Sequence, residues 1–392
     1  MVETSIKVRD RDQACQEPEL RYLLQETDTF VTCVELVTSR GLMTDRDGRK
    51  VLELARGLAN NSRVNALSIT DNPGGNAMIG PDILGRELLS QGQEVTIHLS
   101  CKDWNRNGLQ SRGWELASSG FKNILSLSGD YPIDGYRGIA SGVFDTDSVG
   151  LLKMFSDMNE GLQVGEGQRA QVLKCTDFFL GAVVNNYKRF EREVMPQYFK
   201  LVKKVESGAK FIINQIGYDS QKQDELLKYM VMFNIQVPVI SNIYVLSGPS
   251  ARFFHRGNIP GVTVTDNLLA LVLKQAKSPD KGKAFFLELA AKQCAIARGL
   301  GYRGVYLGGH LKYKEYEQVL RLADALKGED WRNFAKEINF CQPEEFYFFE
   351  RDFETGLSST QINQEYLLSK RQKVLAKSRK NIAISYKINR VI

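Results

Sequence analysis

The sequence predicts an α/β protein: a closed (β/α)8 barrel, a TIM barrel, carrying a C-terminal extension. Three observations predict it. Eight short runs rich in Val, Ile and Leu are separated by stretches whose apolar residues recur at spacings of three and four, the alternation that builds a parallel sheet covered by helices. Gly120, Gly208 and Gly301 each stand just before one of the apolar runs, as helix-ending glycines do. No G-x-G-x-x-G follows the first run, so the open dinucleotide-binding sheet lacks its fingerprint. The 392 residues suffice for one barrel plus an extension. The expected division is an N-terminal segment over 1–29, a barrel over 30–327, and an extension with a basic tail over 328–392.

Taken in order, the apolar runs place strands at 31–37 (VTCVELV), 65–70 (NALSIT), 95–100 (VTIHLS), 124–128 (ILSLS), 178–183 (FFLGAV), 211–215 (FIINQ), 237–243 (VPVISNI) and 304–308 (GVYLG). Their near-continuous apolar character is that of strands buried on both faces. Helices are expected at 47–60, 81–91, 105–119, 147–158, 191–207, 221–234 and 282–298, with 311–327 as the last barrel helix. Segment 248–261 (GPSARFFHRGNIPG) reads as a long strand–helix loop. The aromatic-rich stretch 329–356 has no clear period and reads as an ordered extension packed on the barrel. Residues 360–392 read as a helix with a ragged basic end.

Composition is ordinary for a globular chain, 43% hydrophobic and 25% charged. The net charge of +6 is uneven: residues 369–392 hold eight Lys or Arg and no acid, which leaves residues 1–368 at −2. A nearly neutral body argues against a nucleic-acid-binding fold. Six scattered cysteines without a C-x-x-C pair, and three histidines, argue against a zinc ribbon, an iron–sulfur cluster and a disulfide framework. No run of about 18 apolar residues suggests a membrane span. The polar start, MVETSIKVRDRDQ, lacks a signal peptide's apolar core. The expectation is a cytoplasmic protein, and a homo-oligomer.

In such barrels the active site lies at the C-terminal ends of the strands. The polar residues gathered there are Glu35, Thr70, Asp71, His98, Ser100, Asp130, Asn185, Gln215, Asn242 and His310. Each alone is consistent with a strand-end cap or a satisfied core polar group. Together they describe a cavity that grips a polar ligand. Glu35 stands apart, because it lies inside VTCVELV, where an unpaired carboxylate is costly. Burial can push Glu35 and Asp130 apart in pKa, so that one serves as an acid.

The motifs VELVTSRG (34–41), LSIT (67–70), TIHLSCKDWNR (96–106), ILSLSGDYP (124–132), LGAVVN (180–185), KKVESGAKFIINQIGYD (203–219) and IPGVTV (259–264) occur in this order. On them the chain resembles the methylenetetrahydrofolate reductase family, over about residues 30–310. The resemblance implies a flavin enzyme of one-carbon metabolism and methionine biosynthesis. It reduces methylenetetrahydrofolate to methyltetrahydrofolate, with FAD as cofactor and NADH, NADPH, ferredoxin or a partner flavoprotein as electron source. It also implies roles. Glu35 matches the acid that protonates the substrate's bridge nitrogen. Asp130 matches the aspartate near flavin and pterin. Gln215 matches a pterin-binding glutamine. Thr70, His98, Ser128, Gly129, Ala182 and Lys204 match flavin-contacting positions. Lys188 stands in for a histidine after the fifth strand, and Tyr244 is offered as an aromatic contact to substrate.

The chain departs from the family pattern at defined places. Asp71-Asn72-Pro73 replaces Tyr-Gly-Ala. Ser128-Gly129-Asp130 replaces Arg-Gly-Asp, which removes a cation. These changes fall on flavin and nicotinamide contacts, whereas Glu35, Asp130 and Gln215 are kept. Two other readings follow. One is a flavin-independent methyltransferase passing the methyl of methyltetrahydrofolate to a corrinoid partner. The other is a non-catalytic subunit that binds a reductase-like partner.

Overall fold

A computed structural model describes residues 19–371, apart from 134, 327 and 329. Eight parallel strands close into a barrel: β1 (Val31–Leu36), β2 (Ala66–Ile69), β3 (Val95–Ser100), β4 (Asn123–Leu127), β5 (Phe179–Val184), β6 (Phe211–Asn214), β7 (Val239–Tyr244) and β8 (Gly304–Gly308). They neighbour one another in chain order, and β8 pairs with β1 to complete the ring. Each lies within one or two residues of the strand expected from sequence.

The helices are α1 (Leu20–Glu26), α2 (Arg46–Ala59), α3 (Pro81–Leu89), α4 (Arg106–Ser118), α5 (Ser148–Glu160), α6 (Glu191–Glu206), α7 (Ser220–Met232), α8 (Gly248–His255), α9 (Asp266–Gln275), α10 (Lys283–Leu300), α11 (Tyr313–Ala325) and α12 (Trp331–Glu337). The segment read as a long loop is a correction: α8 occupies most of it. Ser247 caps α8 through Ser250, with a proline in the first turn, a start signal that outweighs the flanking glycines. Helix α1 was also not expected. Its Leu20, Leu23 and Leu24 are buried against Val31, Cys33, Leu125, Phe179 and Phe211. It therefore plugs the end of the barrel opposite the strand C-termini.

Side chains alternate along each strand. Val31, Cys33 and Glu35 of β1 face inward, and Val34 and Leu36 pack under the helices. The apolar inner layer around Phe179, Phe211, Ile213 and Tyr306 fills the barrel below the mouth, so the interior is a core and not a channel.

The extension wraps α7. Ile338 bonds Ser220 through its carbonyl, and Phe340 N–H bonds the Tyr218 carbonyl at 2.9 Å. Strands β9 (Phe349–Arg351) and β10 (Ser358–Ile362) form an antiparallel pair. Residues 364–371 are helical. The basic end beyond residue 371 lies outside the described residues. Among the described residues no helix is long and apolar enough to cross a membrane, and no cluster of His, Cys, Asp and Glu could hold a metal ion.

Candidate active site at the barrel mouth

A cavity of about 420 Å³ opens at the C-terminal ends of the strands, within the range of small-molecule sites. Its wall includes Glu35, Thr70, Asp71, His98, Ser128, Gly129, Asp130, Lys204, Gln215 and Asn242. The structure thus brings together most of the polar residues singled out in the sequence.

Glu35 is the most constrained of them. Its Oε2 accepts a 2.8 Å hydrogen bond from the Tyr306 hydroxyl. Burial pushes its carboxyl above the usual range, and the Tyr306 bond opposes that rise. The tyrosine hydroxyl also stands 3.5 Å from His98 Nε2, which lies 2.9 Å from Ser68 Oγ. Burial drives the His98 pKa down to about 3, so the imidazole is neutral. A buried polar chain of Ser68, His98, Tyr306 and Glu35 therefore crosses β2, β3, β8 and β1. Sequence reading missed Ser68 and Tyr306. Both sit at inward positions of strands whose period of two was legible, so projecting the alternation upward would have found them.

Asp130 is half-buried at the opposite wall. One of its oxygens accepts the backbone N–H of Gly74 at 3.2 Å. The strand-end carboxylate thus caps the turn after β2. Gly75 in that turn has φ +74°, and a Cβ on it would fall 2.1 Å from the Tyr131 carbonyl oxygen, so only glycine fits. Asp71 begins the same turn and accepts both N–H and O–H of Ser100, at 2.9 and 2.7 Å. Asn72 adopts a left-handed conformation and donates to Asp103, whose carboxylate also pairs with Lys102. The turn Asp71-Asn72-Pro73 is thus tied into the protein's own hydrogen bonds.

The third wall comes from α5 and α6. Lys204 is buried, and its ammonium donates to the Val183 carbonyl at 2.6 Å. Burial, assisted by Lys200, lowers its pKa to about 8. Lys200 lines the same wall and pairs with Asp147 at 2.7 Å. The Ser128 hydroxyl bonds to Ser148. The Thr70 hydroxyl donates to the Leu36 carbonyl at 3.3 Å. Gln215 folds back on its own loop, accepting the Ile216 N–H at 2.9 Å.

Four residues expected at the site lie off this cavity. Ala182 is fully buried in the layer between barrel and helices, because strand alternation turns Val183 inward and Ala182 outward. Tyr244 packs edge-on against Phe254 at 4.9 Å. Its ring reaches Gly308 beside Glu35 rather than the cavity itself. Lys188 lies near Gly261, which the Asn185 amide holds by a 3.0 Å bond to its carbonyl. His310 lines a separate groove with Lys312.

The family profile described as methylenetetrahydrofolate reductase matches residues 45–307. The match starts ten residues after Glu35. No curated protein matches the sequence. Among solved structures, an uncharacterised Clostridium thermocellum protein that binds two copies of 5-methyl-5,6,7,8-tetrahydrofolic acid shares the fold, with a TM-score of 0.53 and 14% identity over 76% of this chain and 95% of that one. Oxaloacetate acetylhydrolase aligns with a TM-score of 0.42 and 10% identity, over 74% of this chain and 78% of that one. With more than half of its length matched and the closed eight-stranded barrel in place, the chain belongs to the methylenetetrahydrofolate reductase family.

Proposed function

We propose that the cavity binds a tetrahydrofolate and that the chain reduces methylenetetrahydrofolate to methyltetrahydrofolate. The observation that carries this reading is Glu35: a half-buried carboxyl held by one donor, facing a polar cavity shared with Asp130 and Gln215. A carboxyl whose hold on its proton is strengthened by burial can protonate the substrate's bridge nitrogen, which opens the one-carbon ring to an iminium ready for hydride. Asp130 and Gln215 offer acceptor and amide groups to the amino-pyrimidine edge of the pterin. The methyltetrahydrofolate bound by the Clostridium thermocellum protein supports the choice of ligand class.

The residues at the third wall fit the charged part of FAD. Lys204 is a buried ammonium that bonds a carbonyl and feels the Asp147 carboxylate only through space, against burial and the neighbouring Lys200, and a phosphate would compensate it. Lys200, Lys204, His98 and Gly129 would hold the cofactor. When bound, it supplies the hydride. The electron donor that reloads it is a nicotinamide or a redox partner.

One observation favours a second reading, methyl transfer from methyltetrahydrofolate without flavin. Ser128 and the turn 71–75 spend their polar groups on Ser148, Ser100, Asp103 and Asp130, so the groups that replace flavin contacts are already engaged. Calorimetric titration with methyltetrahydrofolate, paired with the visible spectrum after FAD is added and the excess removed, tests both. Folate binding with flavin bands near one equivalent is the expected result. Folate binding by a colourless protein selects methyl transfer. Absence of folate binding overturns both readings.

A further inference from the structure

We infer that Tyr306 is a positioning residue: its hydroxyl holds Glu35 in place and sets the pH at which that carboxyl gives up its proton. The inference rests on the reading of Glu35 as the acid, but its test does not. Tyr306 lies opposite Cys33 in the β8–β1 ladder, two residues below Glu35. Both side chains face inward, so the phenol reaches up to the carboxylate. A phenol has one hydrogen. At 2.8 Å it goes to Glu35 Oε2, and His98 Nε2 at 3.5 Å faces the phenol oxygen. Tyr306 is buried with Cys33, Leu125 and Phe179, so the bond works where water does not replace it.

The other carboxylate oxygen has a different surrounding. Oε1 has no hydrogen-bond partner among the described residues and lies beside Gly308, where a Cβ would come within 3.1 Å of it. The tyrosine thus fixes one oxygen and leaves the other free for a ligand. The titratable groups facing Glu35 are Tyr306 on β8, Tyr244 on β7, Tyr316 on α11 and, through Tyr306, His98 on β3. The His98 imidazole and the three phenols are neutral at pH 7. Asp71, across the cavity, is raised by burial and held by the two Ser100 bonds, with Asp103 and Lys102 as its charged neighbours. What remains to oppose the desolvation of Glu35 is the Tyr306 hydroxyl.

A hydrogen bond to a charged group is worth roughly 1.5–3 kcal/mol, so its loss raises the Glu35 midpoint by about one to two pH units. The experiment is an infrared titration of the carboxyl C=O band, isolated by subtracting the spectrum of Glu35→Gln. It is run on the wild-type protein and on Tyr306→Phe, without substrate. The expected result is a midpoint about one pH unit or more higher in Tyr306→Phe. An unchanged or lower midpoint overturns the inference. If Tyr306→Phe does not fold, 3-fluorotyrosine placed at position 306 keeps the question open to measurement. Its stronger donation must lower the Glu35 midpoint, and a midpoint that stays put overturns the inference equally. The alkaline limb of methylenetetrahydrofolate turnover is a second readout. A raised infrared midpoint with no shift of that limb leaves Tyr306 in its role and removes Glu35 from catalysis.

Discussion

Glu35, half-buried at the barrel mouth, and Glu225, fully buried on α7, are both withdrawn carboxylates whose surroundings are opposite. Glu35, at the barrel mouth, receives one hydrogen bond, from Tyr306. Glu225, on α7, receives the Tyr198 hydroxyl at 2.9 Å and the Phe348 N–H at 2.6 Å, with the Phe349 N–H at 3.5 Å and the Lys222 ammonium 3.6 Å away. Around it, Asp219 accepts the Tyr347 hydroxyl at 2.6 Å, and Asp224 accepts the Ser358 N–H at 2.9 Å. Lys222 and Lys228 donate to the carbonyls of Phe346 and Ser358. On the surface of an ordinary barrel these charges would be solvated. Here the backbone of the extension replaces water. Saturated charges lock the extension onto α7, whereas under-partnered charges at the mouth leave capacity for a ligand. The contrast predicts that removing a charge destabilises one region and does not destabilise the other.

The largest effect should come from Glu225→Ala. It strands the buried Lys222 ammonium and the Phe348 N–H, and breaking a buried pair from one side costs about 3–5 kcal/mol. A clear fall in the urea midpoint is expected. A change below about 1 kcal/mol would remove the distinction between the two regions, since surface pairs give that much.

Next is Glu35→Gln, which should lower folate turnover by about 10²-fold or more with folate binding nearly unchanged. Its stability should move the other way. The folded carboxyl titrates above its ordinary value, so wild-type stability falls as pH rises from the unfolded value through the folded one. The glutamine variant loses that slope and should be the more stable protein at pH 8. Unfolding measured at pH 4 and pH 8 checks the sign.

Tyr347→Phe should cost roughly 1.5–3 kcal/mol, the worth of a hydrogen bond to a charged group. Asp219 keeps its bond from the Gln221 N–H at 2.9 Å, so the loss is smaller than at Glu225. Because Asp219 begins α7 just after Gln215, a parallel weakening of folate binding would show that the extension also braces the cavity wall.

The two regions were not equally legible in the sequence. All eight strands were visible because parallel strands write their burial as continuous apolar runs. Glu35 was visible for the same reason, as a carboxylate that such a run does not need. The α7 charges were invisible. In QKQDELLKYM nothing local marks them as buried, since only the distant residues 338–358 cover them. Helix α8 was missed because glycines at both ends resembled a loop, although its Ser247–Ser250 capping box was in plain view. Ala182 was misplaced because a motif match gives position along a strand but not the face; alternation gives the face.

Lys204→Met sharpens the comparison with the smallest effect. The folded ammonium titrates at about 8, below its ordinary 10.5. Between these values the unfolded chain binds the proton more tightly, so stability rises with pH across that window. Below pH 8 the full penalty is present. Its upper bound is about 3 kcal/mol at 1.36 kcal/mol per pH unit, and losing the bond to the Val183 carbonyl offsets part of any gain. Lys204→Met should therefore raise stability at pH 7 by about 1–2 kcal/mol, as replacing a buried charge with an apolar group of similar length often does. The gain should vanish near pH 11. The same variant should weaken binding of a phosphate-bearing cofactor. A lowered urea midpoint at pH 7 would mean that the Val183 bond outweighs burial, and Lys204 would then belong with Lys222 among the charges that hold the fold.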